Sequence, residues 1–395
     1  MKFKLSYLLT ILLAGTLYSC QQEEDWAAGA DATSPRELNL EDFSYSDVQS
    51  LFAGNKTVGN IRFVDGGIVK KVSNLEKNTS FEMLEEDGAP SSTYFYSGAE
   101  KDSVEVVIGK EYASIRMTVN GKQLGYVSYA NADVLEAAVA DIAQNATTRS
   151  AGDALLTRSV SNTSFKMDLT EMAKLAPEVK EDEPVEIEDS PEDADASPAV
   201  QTRAAYYTQW PRGKTLTIHL VRDAGNMPWE HELNWQVNDM ITSIKDVRGD
   251  LNIKVWRSST GYWASARYDA LLSHFKKYCE SSSFPYREAS GHDIIVLVRQ
   301  KSYAGYYLGQ AYTNGYKLSR YNNPWAYGIA ATTAFYPKTL AHEVGHILGG
   351  NHVSARPWWQ FWLYDDVMVP VNNSTNMGNK HLNSGNRNRI WNNLH

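Results

Sequence analysis

The stretch AHEVGHILGGNH, residues 341 to 352, constrains the chain more than any other. It gathers three of the nine histidines into eleven positions. Leu340, Ala341, Val344, Ile347 and Leu348 recur at helical spacing, and Pro337 suits a first helical turn, so the segment reads as a helix. His342 and His346 then lie one turn apart on a single face. Gly349 and Gly350 end the helix, one of them taking the left-handed conformation that other residues avoid. The chain turns back, and His352 arrives from a loop. Three imidazole nitrogens leave the fourth tetrahedral position of a zinc ion open, as in a catalytic site rather than a closed structural one. Glu343, beside the first ligand, is placed to take a proton from water at that position. With this composition the full spacing HExxHxxGxxH arises by chance in roughly one chain in 50,000, against roughly one in 80 for HExxH alone. Two surface histidines on a helix would leave Glu343, Gly349 and His352 without explanation.

At these residues the chain resembles the metzincin metallopeptidases. The resemblance implies a methionine turn beneath the metal. Met368 in DDVMVP, sixteen residues after His352, fits it, with Met377 in STNMGN as the second candidate. The intervening VSARPWWQFWLYDD reads as an aromatic insertion near the cleft. Val369 and Pro370 follow Met368, so the tyrosine that some metzincins place there is absent and no phenolic fifth ligand is expected.

The first twenty residues, MKFKLSYLLTILLAGTLYSC, carry Lys2 and Lys4 and then an apolar run from Leu5 to Leu17. That run is shorter than a membrane span and reads as a secretory signal. LYSC resembles a lipoprotein signal, which implies cleavage before Cys20 and lipid on its sulfur. The following QQEED resembles the acidic tag that sends some Gram-negative lipoproteins to the outer surface. The expectation is an outer-membrane lipoprotein precursor with its mature catalytic domain extracellular. Cys279 is the one other cysteine, so the mature protein has no intrachain disulfide available, and Cys279 is expected to be a buried thiol.

Charge divides the chain. Residues 21–203 hold 34 acids and 16 bases, whereas residues 204–395 hold 13 acids and 20 bases. The switch follows VKEDEPVEIEDSPEDADASPAVQTR, acidic, proline-punctuated and poor in aromatics, which reads as an exposed linker. Three parts are expected: a signal over 1–20, an N-terminal domain with its acidic linker over 21–203, and a catalytic domain over 204–395. In the first, IRFVDGGIVKKV, SSTYFYSG, DSVEVVIG and YASIRMTVNGKQLGYVSYA read as strands, Asn120-Gly121 as a hairpin turn, and ADVLEAAVADIAQNA as a helix. An α+β fold with a mainly antiparallel sheet follows. In the second, TLTIHLVRD, LNIKVW and DIIVLVRQ read as strands ahead of the histidine helix, giving an α/β metzincin domain with a mixed, twisted sheet. No internal repeat, phosphate loop, zinc ribbon or nucleic-acid signature is present, and the modest positive charge of the second half is not gathered into one run.

A peptidase made with such a first half is expected to be latent. Residues 21–203 contain neither cysteine nor histidine, so a thiolate lock is impossible and a carboxylate is the remaining common zinc ligand. Asp182 is favoured, with Glu178, Glu181, Glu183 and Asp189 as rivals. The expected activating cut falls between Arg203 and Ala204 in QTRAA, with Arg149 and Arg158 as competing sites. Over nearly its whole length the chain resembles the fragilysin-type metallopeptidases, through the leader, VVIGKEYASIRMTVNGKQLGYVSYA, QTRA and TTAFYPKTLAHEVGHILGGNH. The resemblance implies an N-terminal domain that blocks zinc through an aspartate, a cut after Arg203 and a metzincin catalytic domain. The longer segment before Met368 departs from the family and leaves substrate preference open. The function expected is that of a secreted zinc endopeptidase with one Zn2+, acting as a monomer on protein or peptide substrates. Two rival functions are a surface-anchored, non-catalytic binding protein and a zinc amidase acting on a non-protein substrate.

Overall fold

The structure, a computed structural model, describes residues 36–52, 54–98, 104–145, 155–174, 214–261, 268–281, 293–300, 308–313, 315, 326–333, 335–336, 338–353, 366–369 and 381–394. The signal with Cys20, the acidic segment with Asp182, Glu178, Glu181, Glu183 and Asp189, and the Arg203–Ala204 junction lie outside the described residues. So do Arg149, Pro337, Pro370, Met377 and residues 354–365 of the aromatic insertion. Arg158 is described; it ends a short strand paired with its neighbour, and its guanidinium lies 3.6 Å from Glu136.

The N-terminal half builds β1 (Arg36–Asn39), α1 (Tyr45–Phe52), β2 (Thr57–Asp65), β3 (Ile68–Lys77), β4 (Phe81–Leu84), β5 (Tyr94–Gly98), β6 (Val104–Ile108) and β7 (Tyr112–Val119). It continues through β8 (Lys122–Tyr129), α2 (Ala132–Asn145), β9 (Leu156–Arg158), β10 (Ser164–Asp168) and α3 (Leu169–Lys174). Nine of these strands form one sheet in the order β1-β2-β3-β5-β6-β7-β8-β10-β9, antiparallel except where β1 meets β2. Asn120 and Gly121 adopt φ of 50° and 76° between the paired Val119 and Lys122, the doubly left-handed turn that matches strand twist. One apolar cluster joins Phe43 and Phe52 to Phe63, Ile61 and Ile115 of this sheet.

The second half builds β11 (Thr215–Asp223), α4 (Glu230–Val247), β12 (Asn252–Thr260), α5 (Tyr268–Glu280), β13 (Ile294–Arg299), β14 (Gly309–Ala311), β15 (Tyr327–Ala331), α6 (Thr339–Ile347) and α7 (Ser384–Leu394). β11, β12, β13 and β15 are parallel, and β14 runs antiparallel along one edge. Unbroken apolar runs such as IIVLVR suit strands covered on both faces. Leu271, Leu272 and Phe275 of α5 cluster with Val221, Leu297 and Ile329, while residues of α4 and α6 share a cluster with Leu216, Ile218, Val296 and Val298. The expected mixed sheet is present.

One strand crosses between the halves. β4 leaves the nine-stranded sheet and pairs in parallel with β12, giving a six-stranded sheet ordered β14-β15-β13-β11-β12-β4. Sequence reading assigns no strand to FEML, because four residues with little alternation carry almost no local signal. The partner supplies the ladder.

α4 joins the two halves. It meets β6 and β7 on one side and α6 on another. Its burial runs all the way round and includes His231, Glu232, Asn234, Gln236, Asn238 and Asp239. Polar groups buried in this way need partners. Asn238 Nδ2 donates to Glu105, Asn234 Nδ2 donates to the Tyr112 hydroxyl, and Arg116 of β7 clasps Asp239 while also bonding Glu105. His231 Nδ1 bonds the Tyr129 hydroxyl at 2.8 Å, and its ring stands among Phe165, Tyr129 and Trp235.

Burial pushes the His231 imidazole down to about 3. A histidine depressed in this way gives stability that is complete above the ordinary pKa of about 6.5 and is lost as pH falls toward 3. Its full contribution is roughly 5 kcal/mol for a shift of that size. Between pH 8 and pH 4 the thermal midpoint should therefore fall further in the wild type than in His231→Gln, measured by circular dichroism. Equal slopes would show that His231 does not titrate against folding.

Candidate metal centre and active site

α6 carries His342, Glu343 and His346, and every residue from Thr339 to Ile347 is buried. Its first turn lacks a side-chain cap of its own. Gln236 of α4 serves instead: the Leu340 N–H donates to Gln236 Oε1 at 2.9 Å, and Gln236 Nε2 donates to the Tyr336 carbonyl at 3.1 Å. One side chain thus meets an orphan donor of the helix and fixes the helix against the domain. At the other end Gly349 takes φ of 101°, and the Gly349 and Gly350 N–H groups donate back to His346 and Gly345. The predicted reversal is there, and it brings His352 back over the helix.

The three histidines converge. His342 Nε2 lies 3.1 Å from His346 Nε2 and 3.1 Å from His352 Nε2. His342 Nδ1 donates to the Val367 carbonyl at 3.0 Å, and His346 Nδ1 donates to the Gly350 carbonyl at 2.9 Å. A carbonyl only accepts, so in each neutral ring the proton sits on Nδ1 and the Nε2 lone pair is free to face its neighbours. Those short Nε2 separations are therefore convergent lone pairs, not hydrogen bonds between His342 and His346. Burial pushes His342 down to about 4 and His346 well below its ordinary value, which keeps both rings neutral. Two neutral imidazoles with facing lone pairs, with His352 Nε2 beside them, fit one divalent cation. Tetrahedral zinc with bonds of 2.0–2.1 Å would set the nitrogens about 3.3 Å apart.

Three further features were not visible in the sequence. Gly309 of β14 lies against Glu343: a Cβ built there would fall 2.2 Å from Glu343 Oε1. The buried carboxylate thus occupies space that only a glycine at 309 leaves. Gly345, within the histidine motif, faces Met368, and a Cβ there would meet the sulfur at 2.4 Å. Met368 is fully buried, and its carbonyl accepts the Val353 N–H just after His352. The methionine therefore packs against the helix at Gly345, while the Val367 carbonyl beside it orients His342. Third, Asp366 Oδ1 accepts the Met368 N–H and Oδ2 accepts the Asn383 N–H. Asn386 of α7 bonds both the N–H and the carbonyl of Asn351. α7 and Asp366 thus hold the turn and the His352 loop in one frame. These partners lie 17 to 35 residues apart in the chain, and no local pattern marks them.

Cys279 is buried, and burial pushes its thiol well above the ordinary value, as an inert core cysteine requires.

Gly345→Ala should force the Met368 sulfur or α6 to shift. A loss of about 1–3 kcal/mol in stability is expected, together with faster loss of bound metal. Chemical denaturation and metal content after dialysis check both. Wild-type values in each would mean that the methionine turn yields without cost.

Residues 37–176 match the family model described as the N-terminal domain of fragilysin. Residues 234–353, which contain the three histidines, match the reprolysin-like metallopeptidase family M12B. Among solved structures, the crystal structure of metalloproteinase-II from Bacteroides fragilis is similar at a TM-score of 0.70 and 20% identity, over 91% of this chain and 98% of that one. A chaperone–substrate complex matches at a TM-score of 0.33 and 16% identity, over 46% of this chain and 38% of that one, too loosely to bear on the fold.

Proposed function

We propose, from the premise that the chain is a fragilysin-type metalloprotease, that it is a zinc-dependent endopeptidase exported as a latent precursor and activated by cleavage after Arg203. The main support for the chemistry is the convergence of three imidazoles, with His342 Nε2 3.1 Å from the Nε2 of both His346 and His352 and the protons of His342 and His346 turned away onto backbone carbonyls. His342, His346 and His352 would hold the zinc. The ion, when bound, supplies Lewis acidity toward a carbonyl and toward water.

The remaining work belongs to the chain. Glu343 follows His342 on α6 and is fully buried, with β14 passing over it at Gly309. In this reading its carboxylate takes the proton of the attacking water and passes it to the leaving amine as the peptide bond breaks. β14, the antiparallel edge strand, borders this space and offers its outer side to an extended substrate, as an edge strand receives a peptide. Glu343→Ala should retain one zinc per chain by native mass spectrometry and lose at least about a hundredfold in peptide cleavage. Near wild-type turnover would remove Glu343 from the role of base.

Latency is assigned to the acidic segment before the junction, with Asp182 as the carboxylate that occupies the metal. The supporting facts are the absence of cysteine and histidine from residues 21–203 and the N-terminal domain of the family ahead of the peptidase. Lipid on Cys20 would hold the precursor at the outer membrane and leave the processed domain extracellular. Under limited trypsin treatment, Arg203→Ala should stay latent, and Asp182→Ala should show activity before any cut. N-terminal sequencing and a quenched-peptide assay read the two. An Asp182→Ala precursor as silent as the wild type would move the lock to another acid.

A further inference from the structure

Among the described residues, the contacts by which the N-terminal domain grips the catalytic half include three sets. The first is β4 itself. Its register on β12 pairs Phe81 with Ile253, Glu82 with Lys254, Met83 with Val255 and Leu84 with Trp256. The Glu82 carboxylate stands 3.2 Å from Lys254 Nζ. Arg257 Nη2 donates to Glu85 and to Ser91 Oγ, so the turn after β4 closes over the same edge. Gly88 of that turn lies on the Trp256 ring with φ of 80°. Backbone pairing, side-chain charge and ring contact all select one seat.

The second set is the buried ion cluster. Arg116 and Glu105 come from β7 and β6, Asp239 and Asn238 from α4, and the charged side chains are only 4 to 5% exposed. Separating the halves would take Asp239 from Arg116 and Asn238 from Glu105, while Arg116 and Glu105 stay paired across β6 and β7. The third set is apolar. Trp235 of α4 fits against Gly125 of β8, where a Cβ would lie 2.8 Å from the ring edge. Around it, Phe95, Val107, Val127, Phe165 and Met167 share one continuous core with Leu233, Val237, Met240 and Ile253.

We infer that the N-terminal domain remains bound to the catalytic domain as a separate chain after the junction is cut. β4 on the β12 edge and the β6–β8 face on α4 form an interface that does not need the covalent link. The link supplies effective concentration, and an interface with this burial keeps its affinity without it. Opening the active site and freeing the catalytic domain are then two events. β4 and the cleft-bordering β14 sit at opposite edges of the sheet, so among the described residues the seat of β4 is not on the β14 edge. Release requires unseating or digesting β4. The inference rests on the reading of 203 as the junction, and its test reads association, not catalysis.

A recognition sequence for a site-specific protease, substituted over residues 198–203 of the full chain, permits a single cut. The cut protein is passed over a size-exclusion column at about 1 µM, a concentration at which only a tight complex survives. The two chains should co-elute at the volume of the precursor and part only in denaturant or after digestion of the N-terminal chain. The double variant Glu82→Lys, Glu85→Lys, checked for a wild-type circular dichroism spectrum before cutting, should raise the dissociation constant at least tenfold. Chains that separate on first passage at that concentration overturn the proposal, as does a double variant that holds as tightly as the wild type. A quenched-peptide assay on the same fractions keeps the functional reading apart. Co-elution without peptide hydrolysis, zinc being present, would defeat the peptidase reading and leave the retained interface standing.

Discussion

Three imidazole nitrogens brought to one spot govern the design of the catalytic half. His342 and His346 face each other through Nε2 at 3.1 Å, His352 Nε2 lies 3.1 Å from His342, and the fold must hold the rings in that arrangement. Backbone carbonyls do part of this by taking the Nδ1 protons of His342 and His346. The rest comes from stiff surroundings. α6 is capped by Gln236 from a neighbouring helix, stopped by a left-handed glycine and packed on a methionine sulfur. Each support acts on the helix or its loop, and together they fix ring orientation before any ion arrives.

That requirement explains the glycines. A side chain at 309 would collide with Glu343, and one at 345 would collide with Met368. Both positions give up side-chain packing so that another group can come close. The carboxylate and the thioether then fill the space to interior density, which leaves neither freedom to drift. A carboxylate placed by contact on the strand side and by its helix on the other is held in one position.

How much of this was legible in the sequence follows from range. The histidine motif is local, so its helix, its left-handed stop at Gly349 and the return of His352 could be read directly. The same is true of the Asn120-Gly121 hairpin and of β11, β12 and β13, whose composition suits buried parallel strands. Met368 is singled out only by the family resemblance; it is buried, with its sulfur against Gly345. What escaped is long-range. The charges of Glu105, Arg116 and Asp239 look like ordinary surface residues until β6, β7 and α4 are brought together. Asp366 and Asn386 carry no signature of the turns that they brace. β4 has no periodicity of its own, and its strand character is a property of β12 as much as of FEML.

β4 also shows why a linker and an interface should not be treated as one device. A short acidic segment can deliver a carboxylate to a metal, but its composition offers few apolar side chains with which to hold a folded domain. The folded N-terminal domain can hold the catalytic half, through β4 on the β12 edge and through β6 and β7 on α4. The chain separates the two tasks by composition. The acids that could reach a metal are concentrated in residues 178–195, poor in apolar side chains, whereas the gripping residues are aromatic, aliphatic or paired charges between 81 and 167. In the proposed reading, a cut at the junction would fall outside the second set and leave the contacts of β4, β6 and β7 as they are.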